Sequence, residues 1–164
     1  MRFKLLSIFA AAVLVAACES TPEATDDSAG AGDVMVEEVI IVEEINPVSA
    51  QYVREVLGDH VLFGFNSSVI NAQAQGTIKR WAEWMNAYGQ IVVIIEGHAD
   101  ERGTREYNLA LGERRATAVK NFMVAMGVDA SRIATISFGK ERPAVEGHTE
   151  AAWAQNRRAV LVLG

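Results

Sequence analysis

Between Glu96 and Ala116 the chain gathers carboxylates, guanidiniums, an imidazole and short polar side chains: Glu96, His98, Asp100, Glu101, Arg102, Thr104, Arg105, Asn108, Arg114 and Arg115 among them. Such a set could transfer protons, ligate a metal or pair with a charged ligand. His98 and Asp100, with Glu96 nearby and His148 further on, are metal-ligand types, but no His-Glu-x-x-His helix is present. No serine or cysteine stands in a nucleophile motif. Neighbouring acids in one loop do not make a glycosidase pair, which needs a defined separation across a bound sugar. No glycine-rich phosphate loop precedes a helix. The expectation is a binding surface with no catalytic residue, no metal and no cofactor. Taken singly, Asp100 reads as a loop carboxylate, Arg115 as a helix-surface cation and Arg114 as its solvent-facing neighbour. His98 reads as a packing residue rather than a titrating one.

These residues must be held by the elements around them. Ile91 to Ile95 is a continuous apolar run, the pattern of a strand buried on both faces. Gly97 to Gly103 is a loop. A helix follows, with Leu111, Val119, Phe122, Met123 and Met126 as its buried face and Gly127 as its end. Upstream, Val61 to Phe65 is a short β-rich run. Ile70, Ala74, Ile78, Trp81, Met85 and Tyr88 recur at steps of three and four, a second amphipathic helix capped by Asn71 and stopped at Gly89. Ile133 to Phe138 and Ala159 to Leu163 are further strands, with a helical turn at Thr149 to Gln155. Asn156, Arg157 and Arg158 form a turn into the last strand. Strands alternating with two long helices give an α/β (α+β) sandwich, helices packed on a sheet.

The rest of the chain is of another kind. Of 164 residues, 50% are hydrophobic and 22% charged, room for one compact domain and a surplus. The net charge of −6 is unevenly spread. From residue 18 to 60 only Arg54 opposes a long series of acids, whereas from residue 61 bases slightly outnumber acids. An acidic stretch ahead of a nearly neutral domain argues against nucleic acid as a partner. Residues 19 to 33 are rich in Ser, Thr, Ala, Gly, Asp and Glu and suit a flexible spacer. Val34 to Ile45 breaks valines and isoleucines with Glu pairs, and suits an edge strand, a partner-binding segment or an extended linker equally. Arg2 and Lys4 precede the apolar run Leu5 to Ala17, too short to span a bilayer and patterned as a secretory signal peptide. Cys18 is the sole cysteine, so no disulfide forms within one chain.

Two stretches resemble known families. Leu14-Val15-Ala16-Ala17-Cys18 resembles the bacterial lipobox, which implies lipid on Cys18, anchorage to a membrane and, with Glu19 following, the outer membrane. The run Glu96-Gly97-His98-Ala99-Asp100-Glu101-Arg102-Gly103-Thr104 through Asn108 to Arg115-Ala116 resembles the peptidoglycan-binding motif of the OmpA-like C-terminal domain family, especially its lipid-anchored members. The likeness continues through Ser137 to Pro143 and Gln155 to Val160, covering roughly residues 55 to 164. It implies a signal peptide over 1–17, a lipidated Cys18 with an acidic linker over 18–50, and an OmpA-like domain over 51–164 whose βαβαβ-type sheet carries two long helices. It also implies a ligand, the diaminopimelate of the peptidoglycan stem peptide, whose ammonium suits Asp100 and whose carboxylate suits Arg115. Thr104, Asn108 and Leu111 would frame the pocket, with Phe65 and Asn66 as the opposite lip. Family members commonly carry Asp at the positions of Gly64 and Asn66, so this lip departs from the pattern. Lipid-anchored relatives also imply a protein partner, the periplasmic TolB propeller, and a role in envelope integrity and cell division within the Tol-Pal system.

Overall fold

The computed structural model describes residues 45–164. The expected signal peptide, Cys18, the expected spacer and all of Val34 to Ile45 but its last residue lie outside the described residues. Ser49 caps a first turn, α1 (Ala50–Tyr52), which widens into a π-helical turn at Val53–Leu57. Then follow β1 (His60–Leu62), α2 (Ala72–Ala87), β2 (Val93–His98), α3 (Arg105–Ala125), a 3-10 turn (Ala130–Arg132), β3 (Ile133–Gly139), α4 (Glu150–Asn156) and β4 (Arg158–Leu163).

The caps sit where the sequence places them. Asn71 Oδ1 accepts from Ala74 N at 2.8 Å to start α2, and Gly127, at φ +93°, takes the left-handed position that ends α3. Ala74, Ile78, Trp81 and Met85 of α2 meet Val119 and Met123 of α3 over the sheet residues Val61, Val93, Ile95, Ile133, Ala159 and Leu161. Each large side chain buried this way contributes about 1.5–3 kcal/mol. The tryptophans keep their polar edges paired: Trp81 Nε1 donates to Gly58 O and Trp84 Nε1 to Pro47 O, both at 2.7 Å. Met126, expected inside, is 38% exposed because it is the cap residue beyond the last turn of α3.

The sheet runs β1-β4-β2-β3. β2 and β3 are parallel, which requires the crossover that α3 supplies. β4 returns antiparallel between β1 and β2, pairing Val93 with Leu163 and Gly97 with Ala159. The expectation that the Ile91 to Ile95 strand is covered on both faces is overturned. Val93 and Ile95 are fully buried, but Ile94 is half-buried and Val92 is 47% exposed. Helices α2 and α3 cover one face only, and the other leaves Leu62, Ile136 and Val162 exposed. Antiparallel entry of β4 needs no crossover helix, and among the described residues none covers that side.

At the end of β2 the helix comes unusually close. A Cβ on Gly97 would overlap the carbonyl of Gly112, and one on Gly112 would overlap Ser137 Oγ. Two glycines facing each other let α3 lie directly on the strand backbone and fix where its next turn, carrying Arg115, must sit.

Candidate functional site

Where β2 ends, the chain turns through Ala99 to Thr104 and enters α3. This turn, the first turns of α3 and the loop after β1 enclose a cleft of about 230 Å³. Its lining is Phe65, Asn66, Asp100, Arg102, Gly103, Tyr107, Asn108, Leu111 and Arg115. That volume suits the end of an amino-acid side chain better than a drug-sized ligand, for which pockets of roughly 300–1,000 Å³ are usual.

Asp100 is 5% exposed and crowded by donors. Its Oδ1 accepts from Arg102 N at 3.1 Å and Nε at 3.3 Å, and its Oδ2 from Arg102 Nη2 at 2.7 Å and Arg157 Nη1 at 3.4 Å. Burial pushes the carboxyl pKa up, but the Arg102 hydrogen bonds and charge, helped by Arg157, outweigh it and hold the group below its ordinary value.

Arg115 was expected on the helix surface when read singly; it is instead fully buried. Its guanidinium donates from Nε to Ser67 O at 2.8 Å, from Nη1 to His98 O at 2.6 Å and from Nη2 to Gly64 O at 3.1 Å. It therefore clamps the lip after β1 to the end of β2, and it makes no ion pair among the described residues. Burial brings its pKa down to about 10, Asp100 opposing the shift while Arg157 and Arg114 add to it, so it stays charged at neutral pH.

The framing residues divide by role. Asn108, 1% exposed, donates to Arg102 O at 3.0 Å and holds the loop in place. Leu111 forms an apolar wall at 5% exposure. Thr104 lies outside the lining and caps α3, its Oγ1 accepting from Tyr107 N at 3.2 Å. Asn66 takes a left-handed φ of +50°, which asparagine tolerates, and its Oδ1 accepts from the Tyr107 hydroxyl across the mouth. Phe65, 62% exposed, stacks on Arg102.

Sequence reasoning passed over Arg102, Gly103 and Tyr107. Arg102 is the most engaged of the three. Its guanidinium lies 4.2 Å from the Phe65 ring centre and 4.1 Å from that of Trp153, bonded to Asp100 and 3.6 Å from Glu150 Oε2. The only signal in the chain was its place two residues after Asp100, since its ring partners are remote in sequence.

Residues read as structural are structural. His98, 1% exposed, packs on Phe138 with ring centres 5.6 Å apart, and its pKa falls to about 4 through burial first and Arg158 repulsion second. Asn156 Oδ1 accepts from Ala144 N and Val145 N at 2.7 and 3.0 Å, and Arg157 donates to Phe63 O and Glu150, tying the turn before β4. Arg114 is exposed, above the Tyr107 ring.

Around the cleft, then, two carboxylates, Asp100 and Glu150, face three guanidiniums, Arg102, Arg115 and Arg157. The unmatched charge is the buried Arg115, which favours an anionic ligand group.

Comparison with known proteins agrees with this architecture. The OmpA family matches residues 62–157. The peptidoglycan-associated lipoprotein of Mesorhizobium japonicum is 54% identical over 117 residues, 71% of this chain and 70% of that protein. That of Pasteurella multocida is 39% identical over 158 residues, 96% of this chain and 95% of that protein. The crystal structure of the peptidoglycan-associated lipoprotein from Burkholderia pseudomallei superposes with a TM-score of 0.67 at 39% identity, over 73% of this chain and 100% of that one. The chain belongs to the OmpA family and, within it, to the peptidoglycan-associated lipoproteins.

Proposed function

We propose that the chain is an outer-membrane lipoprotein that binds peptidoglycan non-covalently through the diaminopimelate of its stem peptide and so fixes the membrane to the wall. The observation that carries this reading is the cleft at the end of β2, where Asp100 and the fully buried Arg115, in no ion pair among the described residues, both line a space sized for one amino-acid end. Diaminopimelate ends in an ammonium beside a carboxylate. A cation beneath the cleft and an acid on its wall complement that pair, and each charge-assisted bond is worth about 1.5–3 kcal/mol. Asn108 and Leu111 shape the pocket, Phe65 and Asn66 close its lip, and Thr104 holds the helix end.

Lipid on Cys18 would provide the membrane attachment; no helix among the described residues is long and apolar enough to cross a membrane. The acidic stretch would let the domain reach the wall. Resemblance to lipid-anchored relatives supports TolB as a protein partner and a place in the Tol-Pal system during division.

The test is sedimentation of the full chain, held in detergent, with insoluble peptidoglycan. The wild type should pellet. Asp100→Ala and Arg115→Ala, verified as folded, should remain in the supernatant, losing at least tenfold in apparent affinity, about 1.4 kcal/mol. A folded wild type that stays in solution refutes the wall-binding reading.

A further inference from the structure

Arg102 stands at the cleft with an arrangement that the pairing of Asp100 and Arg115 does not explain. The Asp100 carboxylate has about four lone-pair sites, and four N–H donors already address it. Two of those contacts, 3.3 Å to Arg102 Nε and 3.4 Å to Arg157 Nη1, are long and can yield to a ligand ammonium. The 2.7 Å bond to Arg102 Nη2 is not of that kind, so Arg102 stays beside whatever Asp100 receives.

Its own geometry is that of a prepared donor. Rings stack on the guanidinium at 4.2 Å and 4.1 Å, from Phe65 and Trp153, which fixes its plane. One edge of that plane is spent on Asp100. On the other, Nη1 makes no hydrogen bond among the described residues and lies 3.6 Å from Glu150 Oε2, on a side chain that is 63% exposed. Arg115 is wholly buried with three donors committed to backbone carbonyls, whereas the Arg102 side chain is 32% exposed and lines the cleft. One arginine supplies a fixed, buried charge at the cleft, and the other supplies reachable N–H groups.

We infer that Arg102 is a further ligand-binding and specificity-determining residue, presenting Nη1 to a ligand carboxylate above the buried Arg115, so that the site selects a free carboxylate over its amide. The inference rests on the wall-binding reading and names which chemical form of the wall residue is accepted. An amide offers a weaker acceptor and no charge to either guanidinium. Replacing a charge-assisted bond by a neutral one at this position costs about tenfold in affinity. Walls whose diaminopimelate carboxyl is amidated would be held poorly.

The probes are two tripeptides, L-alanyl-γ-D-glutamyl-meso-diaminopimelate with its terminal carboxyls free and the same peptide with the side-chain carboxyl amidated. Each is titrated calorimetrically into the full chain in detergent, beside Arg102→Gln and Arg102→Lys. The wild type should prefer the free acid by about tenfold, Arg102→Gln should narrow the preference to about twofold, and Arg102→Lys should fall between. Thermal melts of the variants establish that they are folded. If the wild type pellets with peptidoglycan but binds both tripeptides alike, or Arg102→Gln keeps the full preference, the Arg102 assignment is overturned and the wall-binding reading stands. If the wild type neither pellets nor binds the free acid, both fall together.

Discussion

The two ends of the sheet are built from different materials. Every buried polar or charged residue among the described ones, His98, Asp100, Asn108, Arg115, Asn156 and Arg157, lies at the end where β2 stops and β4 begins. The opposite end, where β2 and β3 begin and α3 finishes, buries Ile91, Val93, Met123, Val128 and Ile133. Yet each end holds an arginine whose N–H groups address three backbone carbonyls. Arg132 donates to Ile91 O, Met85 O and Tyr88 O, each at 2.8 Å, closing the open carbonyls at the end of α2. Arg115 does the same for Ser67, His98 and Gly64. The shared geometry is a backbone clamp and by itself identifies no site. What distinguishes Arg115 is its full burial beside an open cleft, whereas Arg132 is only partly buried.

The contrast can be broken first at the glycine contact that seats α3 against the cleft end. Gly112→Ala should lose about 3 kcal/mol in a urea melt, because Ser137 and the Gly97 carbonyl occupy the space of the new methyl. A loss under about 1 kcal/mol would show that the helix shifts freely there and that Arg115 is not fixed by this contact.

Acid should then separate the ends. His98 has a pKa of about 4 when folded against 6.5 when free, so its contribution is complete above pH 6.5 and is lost as pH falls toward 4. The loss should reach about 2–3 kcal/mol, the unfolded chain binding the extra proton. His98→Phe should flatten that slope in melts taken across the same range. The depressed Asp100 pKa adds a further decline only below the ordinary carboxylate range. An unchanged slope in the variant would move the acid sensitivity elsewhere.

The smallest expected effect belongs to the far end. Arg132→Ala should cost about 1–2 kcal/mol in stability while sedimentation with peptidoglycan stays at the wild-type level. Loss of sedimentation by the folded variant would erase the distinction between the two clamps.

Helix positions and caps were legible because they depend on neighbours along the chain: Asn71, Gly127 and the stripe of α2 stand as read. The covering of β2 was not, because an apolar run records that a strand is apolar, not which of its faces a helix occupies. The same limit governed the cleft. The motif brought out Asp100, Asn108, Leu111 and Arg115, whereas the depth of Arg115 and the stacking of Arg102 depend on Phe65, Ser67 and Trp153, which only folding brings near.

β4 is the last element in sequence and occupies the interior of the sheet, with β1 on one side and β2 on the other. During synthesis from the N-terminus, β1 and β2 therefore have no shared neighbour until residues 158–163 emerge. Before that, only β2 and β3 pair directly, and β1 has no strand beside it. The cleft, whose Asp100 is tied to Arg157, is therefore complete only once the segment entering β4 has joined the strands that precede it.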